Sequence, residues 1–196
     1  MGVADIMGRV RRMNYSITEI FYSIQGEGYW TGTPMVFVRL AGCNLSCHFC
    51  DTDFTEKLRF SEFNILRAVE AIGDGCDRVV LTGGEPTIQD LSPLVALLHD
   101  RGYKVHMETN GQTDESFGVD WVTCSPKPYG KVLRKTASEV KVVMGSTDPE
   151  AARDNIEADH YWIQPMSENY KPATDYVLSH EGWRLSVQTH KVAELR

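Results

Sequence analysis

Cys43, Cys47 and Cys50 place three of the chain's five cysteines within eight residues. Three thiolates able to converge on one point make a metal centre, and their spacing narrows the choice of metal. Structural zinc usually takes four ligands in two pairs well separated in sequence. Here the spacing is Cys-xxx-Cys-xx-Cys, and Cys76 and Cys124 stand alone. An iron–sulfur cube held by only three thiolates leaves one iron without a protein ligand, as a catalytic zinc keeps an open position, and chemistry can occur there. His48, inside the motif, keeps a zinc knuckle as the competing reading. A disulfide is disfavoured by the odd cysteine count and the lack of a visible secretory signal.

Beside the thiols, Asp51-Thr52-Asp53 offers hard oxygen ligands that suit magnesium, although an Asx turn explains the same triplet. Four further polar stretches each follow a predicted strand. In Thr82-Gly83-Gly84-Glu85-Pro86 two glycines let a ligand approach backbone that a β-carbon would block; a ligand-free βα turn is the plain alternative. Glu108-Thr109-Asn110-Gly111 presents a carboxylate able to accept from a ring N–H and an amino group together. Ser125-Pro126-Lys127 and Gln164-Pro165-Met166-Ser167 are weak signals alone, because proline after a strand need mean only that the ladder has ended. Gln25, Glu27, Arg39 and His190 complete the polar candidates, and a guanidinium suits a bidentate grip on a carboxylate. No protein acid or base stands out.

The elements that must position these groups follow from periodicity. Buried strands are predicted over 35–40, 78–82, 104–108, 119–124, 139–143, 161–164 and 184–188, with Gly26, Gly28 and Gly32 forming turns before the first of them. A helix from Ser61 should bury Phe63, Leu66, Val69 and Ile72 and stop at Gly73. Another, with Pro93 just inside it, carries Leu94, Leu97 and Leu98 and stops at Gly102; Asp148-Pro149 begins a third, and Gly182 ends a later one. Strands alternating with helices imply an α/β fold with a parallel sheet.

At 196 residues the chain fits one domain, expected over 15–196, with 1–14 as a leader or extension whose Arg9, Arg11 and Arg12 form a solvated tail. The net charge of -7 gives no global basic field for nucleic acid or an anionic membrane. No apolar run approaches the length of a bilayer crossing, so the expected location is cytoplasmic.

The cysteine spacing resembles the cluster motif of radical S-adenosylmethionine (SAM) enzymes. Phe21-Tyr22-Ser23-Ile24-Gln25-Gly26-Glu27-Gly28, Cys50-Asp51-Thr52, Leu81-Thr82-Gly83-Gly84-Glu85-Pro86 and Gln188-Thr189-His190-Lys191 narrow that likeness. Together they resemble the 7-carboxy-7-deazaguanine synthase family, over about residues 15–196. The resemblance implies a partial, open β/α barrel of the radical SAM type, shortened by loss of some helices, with its site at the C-terminal strand ends. It implies a 4Fe-4S cluster on Cys43, Cys47 and Cys50, and SAM against Gly84, Glu85, Ser125, Pro126, Lys127, Gln164, Pro165, Met166 and Ser167. It places Mg2+ at Thr52, and a pterin substrate against Ile24, Gln25, Gly26, Glu27, Arg39, Thr82, Glu108, His190 and the terminal carboxylate of Arg196. Val192 replaces the family's usual aromatic, which weakens the expectation for Arg196.

The implied reaction converts 6-carboxy-5,6,7,8-tetrahydropterin to 7-carboxy-7-deazaguanine with loss of ammonia, in queuosine or other 7-deazapurine biosynthesis. A flavodoxin or ferredoxin electron donor and a homodimer are implied with it. Small activases that install glycyl radicals share the cysteine spacing and the short chain, but do not call for the Gln25-Gly26-Glu27 and Gln188-Thr189-His190-Lys191 stretches. A non-enzymatic zinc module is the third alternative.

Overall fold

One sheet in the strand order β3-β1-β2-β4-β5-β6-β7-β8-β9 organises the computed structural model, which describes residues 14–54, 57–167 and 169–195. Residues 1–13 of the expected leader, its arginines included, and Arg196 lie outside the described residues, while its last residue, Asn14, begins the first strand. The sheet begins with β1 (Asn14–Ile24), β2 (Pro34–Leu40) and β3 (Leu58–Ser61), followed by helix α1 (Glu62–Ile72). Next come β4 (Arg78–Gly83), α2 (Ser92–Asp100), β5 (Lys104–Thr109), β6 (Trp121–Cys124) and β7 (Thr136–Val143). Then follow α3 (Pro149–Asn155), β8 (Glu157–Gln164), α4 (Tyr170–Ser179), β9 (Trp183–Leu185) and α5 (Thr189–Val192). The sheet does not close into a full barrel.

From β2 through β9 all pairs are parallel, as expected, but β1 runs antiparallel to both β2 and β3. For the β1–β2 pair the loop 25–33 is the reason: parallel neighbours need a crossover of a dozen residues or more, and this connection can make only a hairpin. The segments 110–120 and 125–135 cross over without a helix, so the barrel wall is thin there. The last strand is shorter than expected: it ends at Leu185, which leaves Gln188 outside the ladder and able to turn toward the site.

Helix α1 starts where its capping signal places it: the Ser61 hydroxyl accepts from Asn64 N–H at 3.2 Å, and Gly73 closes the C-terminus. Its buried face is Ile65, Leu66 and Val69, whereas Phe63 and Ile72 are exposed, contrary to the expected stripe. Steps of three residues drift off one side of a helix with 3.6 residues per turn, so positions nine apart end about half a turn from each other. In α2 the buried set is Leu94, Val95 and Leu98, with Leu97 only partly covered.

Alternation along the parallel strands sorts the core from the site. Val36, Val38, Val79, Leu81, Val105 and Met107 face α1 and α2. The opposite face carries Phe37, Arg39, Val80, Thr82, His106, Glu108, Glu139 and Lys141, and the register keeps their rows aligned: Arg39 stands opposite Thr82, Val80 opposite His106, and His106 opposite Trp121. Loop 25–33 folds onto this face. Trp30 packs edge-on against His106 at 5.3 Å, and Tyr29 stacks on His160 at 4.6 Å.

Burial, reinforced by the Arg78 charge, holds His106 down from 6.5 to about 4. A histidine whose folded value is depressed contributes stability above its unfolded value, and loses it as pH falls toward the folded one. Acidification from pH 6.5 to 4 should therefore cost about 3 kcal/mol through this residue. Urea midpoints at pH 7 and pH 4.5 check this: His106→Phe should be distinctly less acid-sensitive than the native chain, and equal sensitivity would contradict it.

Candidate active site

Above the aromatic layer, loops at the C-terminal strand ends enclose a cavity of about 1270 Å³. Cys43, Cys47 and Cys50 all line it. The loop is shaped by its own backbone: Leu45 N–H donates to the Cys43 Sγ at 3.4 Å, and Cys50 N–H donates to the Cys47 carbonyl at 3.1 Å. Burial pushes the Cys43 and Cys47 thiols up, with Lys127 opposing the shift at Cys47, so cluster loading must expel thiol protons.

Three soft thiols line one cavity together, a donor set that fits an iron–sulfur cube in which each thiolate binds its own iron. His48, the competing zinc ligand, lies outside the cavity lining, with Nδ1 2.8 Å from the Tyr129 hydroxyl.

Two structures brace the cysteine loop. The glycine pair lies directly against it: Gly84 N–H donates to Leu40 O at 3.2 Å and Glu85 N–H to Gly42 O at 2.9 Å. A β-carbon on Gly84 would stand 2.0 Å from the Gly42 oxygen and 2.9 Å from Cys43 Cβ. On the other side Asn110 donates to Asn44 at 2.8 Å, Asn44 to Gln112 at 2.9 Å, and Gln112 to the Tyr129 carbonyl at 2.6 Å.

The expected SAM-contacting residues divide. Gly84, Ser125, Lys127, Gln164, Pro165, Met166 and Ser167 line the cavity; Glu85 and Pro126 do not. The Glu85 side chain is 1% exposed and accepts from Thr87 N–H, the Thr87 and Thr109 hydroxyls and Asn110 N–H, so it anchors the loop from behind. The Pro126 carbonyl accepts from Thr147. Lys127 donates to the Ser125 carbonyl and hydroxyl, and burial, then the Lys141 charge, lowers its pKa.

All expected substrate-contacting residues among the described ones line the cavity: Ile24, Gln25, Gly26, Glu27, Arg39, Thr82, Glu108 and His190. Thr52, the expected magnesium ligand, lines it too. Arg39 donates through Nε to Glu19 at 2.8 Å, and its guanidinium lies 5.6 Å from the Phe21 ring centre. His190 Nδ1 is buried and has no hydrogen-bond partner among the described residues; burial lowers its pKa, which favours the neutral imidazole.

Loop 25–33 and the 186–191 segment meet across the cavity. Thr189 N–H donates to Gly26 O at 2.9 Å, and Gly28 N–H to the Ser186 hydroxyl at 3.1 Å. A β-carbon on Gly26 would lie 1.7 Å from His190 Nδ1, so a side chain here would displace the imidazole from its place on the wall. Lys191 adds a 2.6 Å ion pair to Asp51, directly after the last cysteine. Sequence reasoning missed Lys141, which pairs with Glu27 at the centre of this wall. The signal was the charged pair Glu139 and Lys141 alternating with valines in a strand predicted to be buried.

A family model of the radical SAM superfamily matches residues 37–127, from β2 through the cysteine loop to Lys127. Fold, three-thiol loop and match together define the class as radical SAM. The chain is 43% identical over 185 residues to the 7-carboxy-7-deazaguanine synthase of Bacteroides thetaiotaomicron, covering 94% of this chain and 100% of the relative. It is 40% identical over 205 residues to the synthase of Caulobacter vibrioides, covering 91% and 98%. The crystal structure of QueE from Escherichia coli superposes with a TM-score of 0.78 at 32% identity, covering 90% of this chain and 94% of that one. The chain belongs to the 7-carboxy-7-deazaguanine synthase family. These relatives favour neither the glycyl-radical activase nor the zinc module.

Proposed function

We infer that the protein is a radical SAM lyase that converts 6-carboxy-5,6,7,8-tetrahydropterin to 7-carboxy-7-deazaguanine with release of ammonia, in queuosine or other 7-deazapurine biosynthesis. The observation that carries this reading is the meeting of the Gln25-Gly26-Glu27-Gly28 and Gln188-Thr189-His190-Lys191 stretches on the cavity that holds the three thiols. When bound, the cluster with SAM supplies a carbon radical able to take hydrogen from the substrate.

The chain's own residues bind, orient and exclude water. Cys43, Cys47 and Cys50 would hold the cluster, while Gly84, Ser125, Lys127 and the Gln164–Ser167 edge line the part of the cavity suited to SAM. Arg39 keeps its terminal guanidinium nitrogens for a substrate carboxylate while Glu19 fixes Nε. Neutral His190 can offer a ring N–H to the same group. Glu108 at the end of β5 faces the cavity as an acceptor for ring N–H donors, fixed by Gln25 Nε2 at 2.9 Å.

The decisive experiment gives the anaerobically reconstituted protein a reductant, SAM, magnesium and this pterin. Deazaguanine product supports the reading, and its absence from cluster-loaded protein refutes it.

Thr52 is our candidate magnesium ligand, because magnesium prefers few protein ligands with substrate and water completing its shell. Thr52→Ala should leave cluster content unchanged and lower magnesium-dependent turnover about tenfold, the range of a lost single metal contact. Loss of cluster assembly with an unchanged magnesium response would contradict this assignment. A flavodoxin or ferredoxin donor, a cytoplasmic location and a homodimer covering the helix-poor wall belong to the same proposal. Light scattering that shows only monomer would remove the last. No helix of the described residues is long and apolar enough to cross a membrane.

A further inference from the structure

Lys141 lies on the cavity face of β7 with only 5% of its side chain exposed, and three carboxylates approach it from three elements. Glu27 comes from loop 25–33 and pairs directly with the ammonium. Glu108 comes from β5, with Oε2 3.7 Å away. Glu139 stands two residues earlier on β7 itself.

The three acids are not equivalent. Besides Lys141, which takes Oε2, Glu27 accepts on Oε1 from Gln164 at 3.0 Å and from Gln188 at 2.6 Å, so both of its oxygens are engaged by protein. Glu139 accepts from the Thr123 hydroxyl at 2.7 Å and from Tyr29 N–H at 2.8 Å, both from protein. Glu108 differs: Oε1 accepts from Gln25, while Oε2 has only the more distant ammonium. Among the described residues, Glu108 Oε2 is thus the one oxygen of these three carboxylates without a hydrogen bond from protein, and it is left for a ligand.

We propose that Lys141 is a positioning residue for substrate recognition. It holds Glu108 as an acceptor aimed into the cavity, and it fixes Glu27 as a strut rather than a ligand-binding group. The ligand edge selected at Glu108 Oε2 is a neutral heterocycle with adjacent ring N–H and amino donors, because an anionic edge would meet three carboxylates sharing one close cation. This inference rests on the pterin reading above and assigns the residue that makes its recognition possible.

Other charged groups facing the cluster of acids are Lys127, beyond β6, His190, on α5, and Asp51, on the cysteine loop, which is paired with Lys191. Burial works against the Lys141 charge, but the surrounding glutamates overcome it and raise its pKa; Glu27 is held at about 2, with burial opposing and the Lys141 charge prevailing. Lys141 therefore stays cationic across the working range. Removing its charge leaves three glutamates together without a close cation. The group should then hold a proton near neutral pH, and a proton shared with Glu108 destroys the free acceptor.

The test uses Lys141→Met, Lys141→Arg and Glu108→Gln in the full chain. It measures pterin binding to the unreduced, cluster-loaded protein alongside steady-state turnover from pH 6 to 9. Lys141→Met should raise Kd and KM about tenfold at pH 7, the loss of one charge-assisted contact, with a smaller change in kcat. Binding should recover toward pH 9, and Lys141→Arg should retain most of it. Glu108→Gln should weaken binding without that pH dependence, and the double variant should lose little more than either single one.

Native binding and pH profile in soluble Lys141→Met, or fully additive losses, would overturn the proposal while leaving the pterin reading intact. If Lys141→Met does not fold, the Glu108→Gln profile decides: an unchanged Kd overturns the proposal. Failure of the native protein to bind or turn over the pterin overturns both.

Discussion

Glu85→Ala should destabilise the protein by about 4 kcal/mol, because it leaves a buried and a part-buried backbone N–H and two hydroxyls without their common acceptor. Thr87 and Thr109 can turn their hydroxyls elsewhere; the amides of Thr87 and Asn110 cannot. The melting temperature should fall by on the order of 10 °C for a chain of this length. Glu85→Gln keeps an acceptor oxygen but not the charge, and should cost about half as much. Calorimetry on the cluster-free chain separates this effect from any role in binding. A native melting temperature for Glu85→Ala would show that the carboxylate is not the anchor its four donors make it.

Gly84→Ala should do the reverse, sparing the fold and disabling the centre. The added carbon meets backbone, the Gly42 oxygen at 2.0 Å, so no side-chain rotation relieves the clash. The Gly42 carbonyl stands at the start of the cysteine loop, and the first thiol follows it directly. A displacement of about 1 Å at a reacting centre is enough to lower turnover on the order of 100-fold. We expect reduced iron and sulfide after reconstitution, with a circular dichroism spectrum close to native. Full cluster content in Gly84→Ala would mean that the loop accommodates the carbon without moving its thiols.

What could be read in advance follows the range of the interactions. The three thiols lie within eight residues, so their spacing pointed to a metal centre with a cluster as the leading reading and zinc as its competitor, and the apolar runs of β2 and β4 announced themselves as strands. Short β3, with Leu58 half exposed, offers no burial pattern to find. The buried face of α1 depended on choosing Ile65 over Phe63, which a strict three-residue count gets wrong. Glu85 could be placed in a site-forming loop, but no local signal says that its carboxylate turns away from the cavity. Lys141 and Glu27 are separated by 114 positions, and only the curl of the sheet makes them neighbours. The hairpin direction of β1 was implicit in the nine-residue loop 25–33, a constraint on length rather than on pattern.

Loop 25–33 also orders events in time. After the first three strands, β4 to β9 join the sheet in chain order, so each can dock on the strand made just before it. The bonds that complete the substrate wall obey another rule: Gly26 meets Thr189 across 163 positions and Glu27 meets Gln188 across 161. Contacts of that separation carry the largest loop-closure entropy and form once the rest of the chain is already ordered. The short helix α5 that carries one side of these contacts buries no residue, and local opening begins at such places. The wall is therefore a late-assembling, early-opening seam on a sheet that needs neither, and amide exchange at Gly28 and Thr189 would register it directly.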